Sequence, residues 1–446
     1  MRRSHRPRRP LLGAALLTAA LFSIATPPLL ATPPLLQPDT EGRKDVHASP
    51  QPPLRTKAEL DAWLKANAGK RTPFDGFSAG GRARAMAQVT FGERGLQGLP
   101  FEEIAWQLDA AQAANLLKLL GAEDWASMLD HYPADARWKG SATKPSAIDH
   151  RYLAYVQEED AAYDSNTFQY VRNISQLYRK HFPTSLLAQS AGLSDPDLLL
   201  LARAAASVEK FTAGQPELQD LLALLPQLQK RGLDVTPLVT IAQRGLMRNG
   251  QLTQARALAA AYPAVTFDPI PEVTILPDQL PSGPKWWTLS SDGKRMSAES
   301  ADLSGTHLFV LAGCHFSIEA AEDARNDAEL AGVFARYAHW LGEPPGSEKI
   351  DAWMEWNEKF PDTPIHLITL RGDWTVFPEW AMPTYAVVRD GKLIDKTTGS
   401  WRHHPENRTA LVAMLRRHDL MPPQAKKTAS SVPAQQAHAL ATALAD

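Results

Sequence analysis

His307-Leu308-Phe309-Val310-Leu311-Ala312 runs directly into Gly313-Cys314-His315-Phe316-Ser317, and these eleven residues decide the fold of the C-terminal third of the chain. The first six are β-favouring and apolar on both faces, the pattern of a strand buried inside a sheet. A helix is expected to open at the cysteine. Leu330, Val333, Phe334, Tyr337 and Leu341 share one helical face, and Glu319, Glu322 and Asp323 sit early, where the helix dipole favours acids.

Working outward, Trp286-Trp287-Thr288-Leu289 and Arg295-Met296 flank Asp292-Gly293, a hairpin signal. Downstream, residues 364–370 form another buried-strand run. Met382-Pro383-Thr384 leads into a strand at 385–389, the turn Asp390-Gly391 and a second strand at 392–398. Gly399-Ser400-Trp401 and a helix at 405–417 close the unit. Residues 342–360 read as an insertion, part helical. The expected order is β-β-α-β-β-β-α.

These residues together resemble the exported thioredoxin-like thiol:disulfide oxidoreductases, over residues 285–420. The resemblance rests on four features in order. They are an apolar strand leading into Cys314, Cys-x-x-Ser opening a helix, Met382-Pro383-Thr384 before a strand, and an Asp-Gly hairpin followed by glycine. It implies a thioredoxin-like α/β domain in which Pro383 is cis and faces the active cysteine. It implies Cys314 and Ser317 as the catalytic pair, with His315, Phe316, Met382, Pro383 and Thr384 lining the substrate groove. Two departures stand out: Gly313 replaces the family's tryptophan before the first cysteine, and Ser317 replaces its second cysteine.

A thiol at a helix N-terminus meets unpaired backbone N–H groups and the positive end of the dipole, both of which favour the thiolate. Ser317 is placed to donate a hydrogen bond to the sulfur. Exchange passes through a mixed disulfide that a second thiol must resolve, and Cys314 is the only cysteine of the chain. The chain alone therefore cannot run a dithiol cycle. Two readings follow: a monothiol oxidoreductase or covalent partner capture using an external thiol, and a redox-silent binding or scaffold protein. Cys314, His315 and Met382 are a soft set suited to Cu(I), but adjacent Cys and His are an awkward spacing for one ion. No metal or cofactor is expected.

The remaining chain is organised around this unit. Residues 57–262 carry helical periodicity with almost no strand signal. Helices are expected at 57–66, 101–120, within 149–182, and at 195–211, 217–230, 236–248 and 251–262, as an all-helical bundle or irregular solenoid. In that stretch the run Glu158-Glu159-Asp160 with Asp164, Tyr155 and Tyr163 reads as a solvated helix face rather than a polar groove. Six prolines mark a stiff connector at 263–284, and 421–446 reads as a disordered tail. The fold class is thus α+β and multidomain, an all-helical N-terminal domain followed by the thioredoxin-like domain.

Residues 1–25 pair five arginines with the apolar run 11–25 and end on Ser23-Ile24-Ala25, the pattern of a cleaved secretory signal. Residues 26–56, which repeat Thr-Pro-Pro-Leu-Leu, read as a flexible spacer. A periplasmic or secreted location follows as an expectation. Cleavage removes five arginines and no acids, taking the formal charge from −2 to −7. So acidic a chain gives no electrostatic reason to bind nucleic acid or an anionic membrane. The expected partner is a protein or a small thiol. Ser141-Ala142-Thr143-Lys144 and Lys396-Thr397-Thr398-Gly399 echo serine-hydrolase motifs by chance, and His403-His404 read as a loop pair.

Overall fold

The computed structural model describes residues 53–93, 95–129, 144–165, 167–212, 215–402 and 404–421. The expected signal segment, nearly all of the expected spacer, residues 141–143, His403 and the residues after 421 that were expected to form a tail lie outside them, as do the side chains of Tyr163 and Asp164. The chain divides into two compact units. One takes the described residues up to Thr274 with 293–296 and 344–352; the other takes Ile275–Asp292, Ser297–Glu343 and the described residues from Trp353 onward.

The first unit is mostly helical: α1 Lys57–Ala66, α2 Ala79–Gln88, α3 Phe101–Gln107, α4 Ala110–Leu120, α5 Ala147–Ser165, α6 Thr167–His181, α7 Thr184–Ala188, α8 Asp195–Thr212, α9 Gln215–Lys230, α10 Thr236–Arg248 and α11 Leu252–Ala261. The single helix expected over 101–120 is two. Asp109 accepts the Gln112 backbone N–H at 2.8 Å, and the Gln112 side chain accepts the Asp109 N–H at 3.0 Å. This capping box starts a new helix where the apolar spacing alone runs through. The strand-free expectation also fails, because Thr90–Gly92 (β1) and Gly95–Gly98 (β2) pair antiparallel. Leu60, Phe74, Ile104, Leu108 and Leu116 form one core. In the acidic run, Glu158 pairs with Lys180, whereas Tyr155 is fully buried.

At the heart of this unit lies a buried charge network. Glu103 accepts from Arg84 Nε at 2.8 Å and Arg203 Nη2 at 2.9 Å through one oxygen. Its other oxygen accepts from Arg84 Nη2 at 3.0 Å and Gln107 Nε2 at 2.5 Å. Arg84 also pairs with Asp149, and both guanidiniums lie over the Tyr152 ring at 5.4 and 5.2 Å. The cluster joins α2, α3, α5 and α8, and Gly80 lets Asp149 approach because a Cβ there would overlap the carboxylate.

Beyond α11, eight strands build one mixed sheet: β3 Glu272–Ile275, β4 Lys285–Leu289, β5 Arg295–Ser300, β6 Thr306–Leu311, β7 Ala338–Gly342, β8 Ile365–Ile368, β9 Thr384–Arg389 and β10 Lys392–Thr398. Their order across the sheet is β10-β9-β6-β7-β8-β4-β5-β3. β6–β7 and β7–β8 are parallel; β6–β9, β9–β10 and β4–β8 are antiparallel. The helices are α12 His315–Asn326, α13 Ala331–Tyr337, α14 Ile350–Lys359 and α15 Pro405–Arg417.

Three sequence expectations change here. The helix after Cys314 is two helices, and Leu341 belongs to strand β7. Its spacing from Tyr337 imitates a helical turn, but α13 ends at Tyr337, where Ala338 turns extended. Consequently residues 342–360 are no mere insertion: Gly342 ends β7, and the residues from 343 to the start of β8 make a crossover between parallel neighbours. The proline-rich connector also contributes an edge strand, β3.

One face of the sheet carries Phe309, Leu311, Leu341, Ile368, Ala386 and Val388 under Trp286, Trp374 and Phe377. On the other face, Tyr385 packs against Phe334 and Trp401, and Trp340 against Phe334 and Trp356. No helix among the described residues is long and apolar enough to cross a membrane.

Candidate functional site

Strand β6 delivers the chain to the site, and α12 begins there. Cys314 is the N-cap of α12, with extended backbone (φ −119°, ψ 167°) and a half-buried, unpaired thiol. Cys314 carbonyl oxygen accepts the Ser317 N–H at 2.8 Å, which closes the first turn. Ser317 is fully buried, and its Oγ lies 3.4 Å from Cys314 Sγ. Gly313 N–H donates to that same Oγ at 3.3 Å. With a lone pair engaged by Gly313, the Ser317 hydroxyl hydrogen is free to point at the sulfur.

The third wall comes from the segment before β9. The Met382–Pro383 peptide bond is cis, and the Met382 carbonyl oxygen is 3.7 Å from Cys314 Sγ. Thr384 begins β9 opposite Leu311, the last residue of β6, so strand pairing holds this segment beside the thiol. Two opposed contacts thus act on the sulfur: the Met382 carbonyl accepts from an S–H, and the Ser317 hydroxyl can donate to a negative sulfur. His315 and Phe316 are exposed, their rings 3.8 Å apart by centroids. Phe316 and Ile318 are 43% and 40% exposed, large values for apolar side chains beside a thiol. All seven residues singled out from the sequence therefore lie within one short stretch of α12 and the chain entering β9.

Three further residues shape the site, and of these the sequence reading marked only Gly313. Gly313 has φ +158°, and a Cβ there would sit 2.9 Å from Met382 Sδ and 3.7 Å from Trp353 Cη2. Trp353 is buried and brings an indole to this edge from α14. Tyr385, one residue past Thr384, is fully buried, and its hydroxyl has no partner among the described residues. Burial first, then the nearby Asp323 and Cys314, push its phenol above the ordinary range. Only the glycine had a visible signal, since it stands where a large side chain was expected.

Gly313→Ala is expected to cost about 1–2 kcal/mol, chiefly through φ, because the Met382 tip can move aside whereas the backbone cannot. A thermal melt of the variant against the parent checks this, and an unchanged midpoint would refute it.

Among the described residues no group of three His, Cys, Asp or Glu is arranged to hold a metal ion. Searches of protein-family models, of curated proteins and of solved structures match none of them to this chain.

Proposed function

We propose that the chain is an exported protein whose C-terminal unit is thioredoxin-like and works by monothiol exchange, or by covalent capture of a partner, through Cys314. The observation that carries this reading is the position of the one thiol. It belongs to the N-cap residue of α12, is half-exposed, and has Ser317 Oγ at 3.4 Å and the Met382 carbonyl oxygen at 3.7 Å. The strand-to-helix entry at Cys314 and the cis Met382–Pro383 bond beside it support the thioredoxin-like reading. The family's tryptophan before the first cysteine is absent, and the Trp353 indole lies against Gly313 instead.

The chemistry balances as follows. Cys314 thiolate attacks one sulfur of a disulfide; a Cys314–S bond forms, and the other sulfur leaves as thiolate and takes a proton. An external thiolate then attacks the mixed disulfide on the partner's sulfur, releasing Cys314. The external thiol ends oxidised and the original disulfide is opened without a second cysteine in this chain. Where no such thiol arrives, the mixed disulfide persists and the partner stays held.

A second reading, a redox-silent binding module, is favoured by the exposed Phe316 and Ile318. Trapping in extracts separates the two. Affinity-tagged chain run on a non-reducing gel is expected to carry disulfide-linked partners that reductant releases and that Cys314→Ser lacks. Partners bound equally well by Cys314→Ser, with no disulfide-linked bands for either protein, would instead support the binding module.

A further inference from the structure

On the sheet face away from α12 and α13, three histidines sit in a row on neighbouring strands: His307 on β6, His339 on β7 and His366 on β8. Each is the second residue of its strand, and all are half-buried. His307 lies near the start of β6 and Cys314 beyond its end, about 20 Å apart at the usual rise of a strand.

The hydrogen bonds fix the tautomer of His307. Its Nε2 is 2.6 Å from the Ser304 carbonyl oxygen, which can only accept, so Nε2 carries the proton. The Nδ1 of the neutral ring is then unprotonated, and it accepts from His339 Nε2–H at 3.2 Å. A ring whose far nitrogen donates to a backbone carbonyl while the near one is unprotonated is oriented as metal-bound imidazoles are. The spacing suits the same purpose. Two nitrogens at about 2.0–2.1 Å from one tetrahedral ion stand roughly 3.3 Å apart.

Rigidity comes from the packing. Phe309 and His339 are paired residues of β6 and β7, with ring centroids 5.3 Å apart, and Trp286 stacks on His339 at 5.8 Å from the other side of the row. His366 is held separately, 4.7 Å from Trp286 by centroids and with Nδ1 3.4 Å from Thr288 Oγ1.

We infer that His307 Nδ1 and His339 Nε2 form a two-imidazole chelate for a divalent ion of the late first row, Zn(II), Ni(II) or Cu(II), with water completing the coordination. Imidazole nitrogen suits these ions over Mg(II) or Ca(II). Binding requires only that the His339 proton move to its Nδ1. The site is independent of the thiol chemistry proposed for Cys314, from which it is separated by the length of a strand.

The test is Zn(II) binding to the full chain carrying Cys314→Ser, so that the thiol adds no ligand, by competition with a chromophoric chelator. His307→Gln and His339→Gln are each expected to weaken the tightest site at least about tenfold, as losing a ligand must exceed losing an outer-sphere partner. His307→Gln, at the strand end, decides the matter if His339→Gln fails to fold. A tightest site that keeps its affinity in the folded variants, or the absence of Zn(II) uptake in the micromolar range, overturns the inference.

Discussion

With Cys314 working as the proposed monothiol, Ser317→Cys is expected to turn a chain that accumulates mixed disulfides into one that does not. Ser317 Oγ already lies 3.4 Å from Cys314 Sγ on the first turn of α12, so a thiol at 317 would need only a rotamer adjustment to reach the S–S bond of about 2.05 Å. Its thiolate would attack the Cys314 sulfur of a mixed disulfide, close the internal bond and release the partner as a thiol. The oxidised variant should be two hydrogens lighter than its reduced form and inert to thiol probes. Mixed disulfides with a model disulfide should fall from the dominant product to a trace. The cost is modest, since the new sulfur is a weaker acceptor for the Gly313 N–H. Intact-mass measurement under non-reducing conditions decides it. Mixed disulfides that persist as in the parent would show that position 317 does not face the reacting sulfur.

The largest stability effect is expected at Glu103. This carboxylate is 1% exposed and sits between Arg84 and Arg203, themselves 2% and 4% exposed. Glu103→Ala leaves two guanidiniums buried without their shared partner, which typically costs about 3–5 kcal/mol. The urea midpoint of the far-UV helical signal should fall accordingly, and Glu103→Gln, which keeps the shape and loses the charge, should fall most of the way. A loss under about 1 kcal/mol for Glu103→Ala would refute the network's role. The same group sets an acid limit. Burial alone would raise its carboxyl, but Arg203 and Arg84 outweigh that and hold it at about 2. Unfolded, it returns to the ordinary value near 4.5. Its stabilisation is therefore complete above about pH 4.5 and is lost as pH falls through about 2.

The site was legible where its residues are close in sequence or carry a short motif. Cys314 and Ser317 are three apart at a strand-to-helix junction, and Met382-Pro383-Thr384 announces itself before an apolar run. What the sequence hid depends on long-range packing. Trp353 reaches Gly313 from a segment read as an insertion, and nothing local to Gly313 indicates that its missing side chain makes room for Met382. Tyr385 reads like any strand aromatic, and only the fold shows that its buried hydroxyl has no partner among the described residues.

The fold shows the same division. β7 was missed because Leu341 continues the helical spacing of Leu330, Val333, Phe334 and Tyr337. The break at Asp109 left a local mark, the Asp109-x-x-Gln112 capping box, which the apolar periodicity masked. The Arg84–Glu103–Arg203 cluster left none: its members lie 19 and 100 residues apart, and a polar residue in a helix reads as solvent-facing until a partner arrives from another helix.

The most direct test of the central claim is the reaction of the native chain with an aromatic disulfide at neutral pH, followed by absorbance and intact mass. A working Cys314 gives one adduct per chain at the rate of an accessible thiol, reversed by added small thiol and absent in Cys314→Ser. A native chain that stays unmodified, and reacts only once unfolded in urea, would contradict thiol chemistry at this site.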